Sequence, residues 1–195
     1  MILLHGDHLA HGGRSPLGLA GTLHEATGQV VLDRAVAGGL RDVIRRAGDN
    51  VGAELPMWHP AVLVVGTTDA RAGGCVPAVF MQQLRHAALT LRVPHDDPGS
   101  AHTGRRVLVV VPPAAPPEVR CPRGYGRGSR RWRERIDPLV RDWRQRLGLS
   151  SRIDVVPWDV VGRWGLGDPA LWADAMTLRP SGLRALAAGI AAHLG

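Results

Sequence analysis

The sequence predicts an α/β protein, a parallel sheet with helices on both faces, and three observations point there. Short apolar runs rich in valine, leucine and isoleucine alternate five times with longer amphipathic stretches along 195 residues, the pattern of repeated strand–helix units. The run "PAVLVVG" (60–66) is continuously apolar, as strands covered on both faces are, and "RRVLVVVPPAAPP" (105–117) reads as a further strand. The intervening stretches read as one-sided helices: in "GLRDVIRRAG" (39–48), Leu40, Val43 and Ile44 share a face.

The elements follow in order. "MILLH" (1–5) is a strand entering a Gly-Asp turn, and "LGLAGTLHEATG" (17–28) a helix ending at Gly28. "QVVLDRAVAG" (29–38) is a second strand leading to a glycine turn, followed by the helix at 39–48. The third strand, 60–66, precedes a long helix over 76–92, and the fourth is stopped by its prolines, which cannot continue a central ladder. A helix at about 130–147, a short strand "RIDVVPW" (152–158), an irregular stretch to 178 and an alanine-rich helix over 180–194 complete the chain. One domain spanning 1–195 is the expectation.

Composition narrows the function classes. Hydrophobic content of 45% and charged content of 21% are ordinary for a globular protein. No apolar run is long enough to span a bilayer, and no charged leader precedes an apolar stretch, so a cytoplasmic location is expected. Cys75 and Cys121 lie far apart in no CxxC pattern, and neither a zinc site nor a disulfide framework is expected. The net charge of +7 is carried entirely by arginine. Its one concentrated run, "RCPRGYGRGSRRWRER" (120–135), reads as a solvated loop and helix start; its GYGRG is followed by no phosphate-gripping lysine, and nucleic acid is not an expected partner.

In sheets of this kind ligands bind beyond the carboxyl ends of the strands. That rule gathers His5–His8, Gly38, Gly66–Asp69 and the loop around 168–178. His5, His8 and His11 are spaced by three, but the Gly-Asp turn interrupts the register and strand geometry separates His5 from the others. A metal triad is therefore not expected, and no cofactor is implied.

These strand ends resemble the SGNH (GDSL) hydrolases. "ILLHGDHLAHG" is similar to the family's first block, whose strand ends in Gly-Asp-Ser; "VAGGL" to the second, with its oxyanion glycine; "PAVLVVGTTDARAG" to the third, written Gly-x-Asn-Asp; and "DAMTLRPSGLRALAAGIAAHL" to the last, written Asp-x-x-His-Pro. The resemblance implies a three-layer α/β/α, flavodoxin-like fold with about five parallel strands. It also implies an esterase-like or acyltransferase-like site acting on a small acyl or carbonyl substrate.

The departures fall on the reacting groups. His8 stands at the nucleophile's position, Thr68 at the oxyanion asparagine and Thr177 at the catalytic histidine, while Gly38 and Asp174 keep the family's residues, as do Gly6, Asp7, Gly66 and Asp69. The serine–histidine relay has no serine to carry it. Three readings follow. His8 acts as general acid or base beside the Gly38 and His8 amides, with Thr68 offering a hydroxyl and Asp174 within reach across the smaller Thr177. Alternatively His8 activates Thr177 for acyl attack, or the site binds a ligand without catalysis. Asp7 and Asp69 are read as acids holding turns through backbone hydrogen bonds as well as flanking the substrate. Trp164, with Trp158 and Trp172, either walls an apolar pocket or fills the core beneath a loop.

Overall fold

The computed structural model describes residues 1–11, 18–48, 59–72, 76–92, 104–112, 115–119, 126–148 and 151–195. Both cysteines and residues 120–125 of the basic run lie outside them.

Five parallel strands form the central sheet: β1 (Ile2–Gly6), β2 (Val31–Asp33), β3 (Ala61–Val64), β4 (Val107–Val110) and β5 (Ile153–Val156), in the order β2-β1-β3-β4-β5. This is the flavodoxin-like order, and it creates a switch point between β1 and β3. The register is unshifted along β3–β4 and β4–β5, from Ala61↔Val107 to Val64↔Val110 and from Val107↔Ile153 to Val110↔Val156.

Alternation along each strand divides the core in two. Leu3, Leu63, Val109 and Val155 face one layer, against α3 (Leu40–Gly48), α5 (Pro77–Arg92) and α6 (Gly126–Arg146). Ile2, Leu4, Val62, Val64, Leu108, Val110 and Val156 face the other, against α2 (Gly18–Thr27) and α8 (Pro180–Leu194). Trp132 and Trp143 are buried packing residues of α6. No helix among the described residues is long and apolar enough to cross a membrane.

Several boundaries differ from expectation for local reasons. The second strand is three residues, not ten, because the Asp33 carboxylate accepts the Ala35 N–H at 2.9 Å and turns the chain. The fourth ends at Val110, short of Pro112. Two short helices were not expected: α1 (His8–His11), directly after the Gly-Asp turn, and α4 (Thr67–Ala72), after Gly66. Gly66 has φ +110°, a left-handed turn that glycine adopts without strain. The irregular stretch before 178 is ordered: α7 (Trp158–Val161), a π-turn at Gly162–Leu166, a 3₁₀ turn at Pro169–Leu171, and the antiparallel hairpin β6 (Trp172–Asp174) and β7 (Thr177–Leu178).

Candidate active site

The crevice at the carboxyl ends of β1, β2 and β3 is built around one buried acid. Asp7 is fully buried, and both of its oxygens are engaged. Oδ1 accepts the Leu9 N–H at 3.0 Å, and Oδ2 accepts the N–H groups of Thr67 and Thr68 at 2.7 and 3.0 Å. A single carboxylate thus fastens the start of α1 to the start of α4, across the switch point. Burial pushes the Asp7 carboxyl up; the three N–H donors and the charge of Arg133 pull it the other way.

Asp69 fastens the third strand's loop to the second's. Its Oδ2 accepts the Leu40 N–H at 3.0 Å, holding the first turn of α3 just beyond Gly38 and Gly39. The same turn is tied to β1, since Val36 N–H donates to the Gly6 carbonyl at 2.9 Å. Burial raises the Asp69 carboxyl to about 6, helped by the charge of Asp7 and opposed by the Leu40 N–H and Arg133. Both acids therefore act as the expected turn holders, with their acceptor sites turned to backbone.

Because the folded-state value of Asp69 lies above that of the unfolded chain, the folded state binds the extra proton. Stability from this group is full below about pH 4 and is lost as pH rises through 6. Asp69→Asn keeps an acceptor for Leu40 and does not ionise. The variant is expected to gain on the wild type between pH 4.5 and pH 7.5, by about 2 kcal/mol at most, in urea denaturation at the two values. An unchanged difference would show that Asp69 titrates normally.

Around this frame stand the residues that the sequence resemblance sets at reacting positions. His8 opens α1 and is half-buried, and α1 packs beside β7, which carries the half-buried Thr177. The Thr68 hydroxyl is buried with no hydrogen-bond partner, as is that of Thr67. Gly38 is half-buried in the turn, and among the described residues its N–H donates to no group. Its φ is not positive; a glycine suits this position because a Cβ would run into the Asp42 carboxylate.

Asp174 is a turn-holding acid. Its Oδ1 accepts the Met176 N–H at 2.8 Å and closes the β6–β7 turn, in which Asp174 pairs with Thr177. Trp164 is not brought to the crevice. It packs on Gly189 and meets His193 edge-on at 5.2 Å, in the last turns of α8, whose terminal carbonyls Arg106 holds at the amino-terminal edge of β4. Trp172 is buried and donates its Nε1–H to the Leu166 carbonyl at 2.9 Å, so it fills the core beneath the loop. Of the histidines, His5 is buried in β1 and held neutral, its imidazole lowered to about 4 by burial and then by the charge of Arg34. His11 is exposed, on α1 and not in a loop.

One residue of this frame was passed over within the basic run. Arg133 of α6 is 4% exposed, and its Nε and Nη1 have no hydrogen-bond partner. Burial lowers its guanidinium to about 10, against the charges of Asp7, Asp137 and Asp69. The signal was present in "RWRERIDPLV" (131–140): Arg133 and Asp137 sit at i, i+4 beside the apolar stripe Trp132, Ile136 and Val140.

This sheet order, with the Gly-Asp turn after β1, a glycine turn after β2, the Gly-Thr-Thr-Asp helix start after β3 and a terminal helix behind a short hairpin, is the fold of the SGNH (GDSL) hydrolases. Solved structures agree. A carbohydrate acetylesterase family member from Sinorhizobium meliloti superposes with a TM-score of 0.73 at 18% identity, over 99% of this chain and 96% of that one. A lipase/acylhydrolase from Enterococcus faecalis gives 0.69 at 21% identity, over 99% and 94%. The inhibitor-bound aryl esterase of M. smegmatis gives 0.69 at 16%, over 99% and 97%. No protein-family profile and no curated protein sequence matches the chain.

Proposed function

We propose that the protein is a hydrolase-like enzyme with a rewired site, in which His8 is the general acid and base for an acyl, ester-like or carbonyl substrate. The observation that carries this is the juxtaposition at the switch point. His8, half-buried, opens α1, which packs on α4, the helix that carries the unpartnered Thr68 hydroxyl; the Gly38 N–H, without a partner among the described residues, lies in the turn just before Leu40, which Asp69 of α4 holds, on a frame locked by Asp7 and Asp69. The solved structures of this fold include esterases and acylhydrolases, which favours ester chemistry.

For an ester, His8 takes a proton from water as the water oxygen bonds to the carbonyl carbon. The carbonyl electrons move to oxygen, where the Gly38 N–H and the Thr68 hydroxyl meet the developing charge. The carbonyl then re-forms, the carbon–alkoxide bond breaks, and the leaving oxygen takes the proton back from His8. Acid and alcohol are the products, and no covalent enzyme intermediate is needed. The same base and donors suit acyl transfer, elimination or cyclisation of a carbonyl compound.

A second reading rests on Asp174. Its Oδ1 accepts the Met176 N–H and closes the β6–β7 turn, the task of a structural acid, which favours a pocket that binds without turnover. Hydrolysis of unactivated short-chain esters separates the two. Wild type is expected to turn them over and His8→Ala to lose at least about 100-fold while keeping the wild-type melting temperature. Equal rates in both proteins would remove His8 from the chemistry. Thr177→Ala should retain activity, because His8 acts on water and not on that hydroxyl.

A further inference from the structure

We infer that the cleft beside Gly38 is a subsite for an anionic group, a carboxylate or phosphate, carried by the substrate; this assignment of substrate class rests on the ester chemistry proposed above. The cleft holds about 370 Å³ and is lined by Ala35, Val36, Gly38, Asp42, Arg45 and Arg46. It therefore opens directly from the glycine whose N–H faces the reacting carbonyl in that reading, and a substrate held there by its carbonyl extends its next few atoms into it.

The charges in the cleft do not cancel. Its one acid, Asp42, is already engaged twice: Oδ1 lies 3.4 Å from Arg45 Nη2, and Oδ2 accepts the Gly39 N–H at 3.2 Å. Arg46 has no ion pair among the described residues. Arg34, at the carboxyl end of β2 and half-buried, has an Nε that is buried with no hydrogen-bond partner. The other acid of this loop, Asp33, is exposed and bonded to the Ala35 N–H. An Nε buried without an acceptor is costly, and the acceptor that fits a guanidinium fork is a carboxylate or phosphate. Arg34 directly follows β2 and Arg46 lies on α3, the elements on either side of the Gly38 turn, and Arg46 is the lining guanidinium left for an anion in the cleft. A larger cleft of about 630 Å³ at the amino-terminal end of β5 also carries arginines, Arg106, Arg144 and Arg152, and serves as the internal control.

Two measurements test this. Calorimetric titration at low ionic strength with succinate, and separately with inorganic phosphate, is expected to show binding of at least one, weakened roughly fivefold to tenfold in Arg46→Ala and unchanged in Arg144→Ala. Arg46 is exposed, so its variant should fold; Arg34→Gln is the second variant. Succinate alone binding assigns a carboxylate, phosphate alone a phosphoryl group. Binding of neither, or binding that follows Arg144 and ignores Arg46, overturns the subsite. Hydrolysis of monoethyl succinate against ethyl butyrate, esters of matched length differing in the carboxylate, is expected to favour the anionic ester in wild type and to lose that preference in Arg46→Ala. His8-dependent cleavage of ethyl butyrate with no anion effect sinks the subsite and leaves the hydrolase reading standing. Arg46-dependent anion binding without cleavage of either ester does the reverse.

Discussion

Replacing Asp7 with alanine is expected to lower the unfolding free energy by about 3–5 kcal/mol, because three N–H groups lose their acceptor at once. Those of Leu9, Thr67 and Thr68 all point at this carboxylate, the first two at buried positions. A buried donor left unmatched costs about 1–3 kcal/mol, and three do not add fully, since a water entering the vacated volume can serve some of them. Relief of the desolvated charge offsets part of the loss. The loss still dominates, because the same acid joins two strand ends and no described side chain replaces it. Asp7→Asn separates the roles. Its amide oxygen can accept from Thr67 and Thr68, while its NH₂ must then face the Leu9 N–H. That variant is expected to lose about half as much, by urea denaturation at neutral pH. Equal losses would mean that the charge matters and the hydrogen-bond pattern does not.

The structure explains which parts of this arrangement were legible in the sequence. Strand runs such as 60–66 declare themselves because every residue of β3 and β4 is buried, so composition alone marks them. The terminal helix over 180–194 matches to the residue because Pro180 at its first position sets the start. The strand ends could be aligned with a family's blocks because Gly6, Asp7, Gly66 and Asp69 answer to backbone needs, a φ of +110° at Gly66 and acceptors for particular N–H groups. What escaped depends on long-range placement. Asp174 could not be recognised as a turn-closing acid until Met176 was seen to donate to it. By its position in the chain Trp164 could wall a pocket or fill the core, and Gly189 on a distant helix leaves the flat space it fills. Arg133 was hidden by its neighbours: within a run of arginines, only the α6 stripe marks it as turned inward.

Arg133→Met is expected to have a pH-dependent effect on stability, which tests whether the guanidinium is the counter-charge of the frame. Alone, a buried guanidinium is a burden. Burial lowers it to about 10, two of its nitrogens lack hydrogen-bond partners, and methionine would pack in its place without that penalty. Its value lies in the acids around it. Asp7, Asp69 and Asp137 all bear on it, and without it they face one another. In the variant the folded-state carboxyls rise further, while the unfolded chain keeps ordinary values near 4. The folded variant then holds protons that its unfolded chain has lost, so its stability falls as pH climbs from about 4 through the raised values. Near pH 4.5, with Asp69 largely protonated, wild type and variant should differ by less than about 1 kcal/mol. At pH 7.5 the variant should be less stable by about 3 kcal/mol, the scale of an uncompensated buried charge. Guanidinium chloride would mask the charges, so urea is the denaturant of choice. A loss of the same size at both values would reduce Arg133 to a packing residue. A loss confined to high pH would mean that one inward arginine lets two turn-holding acids stay ionised beneath the site they shape.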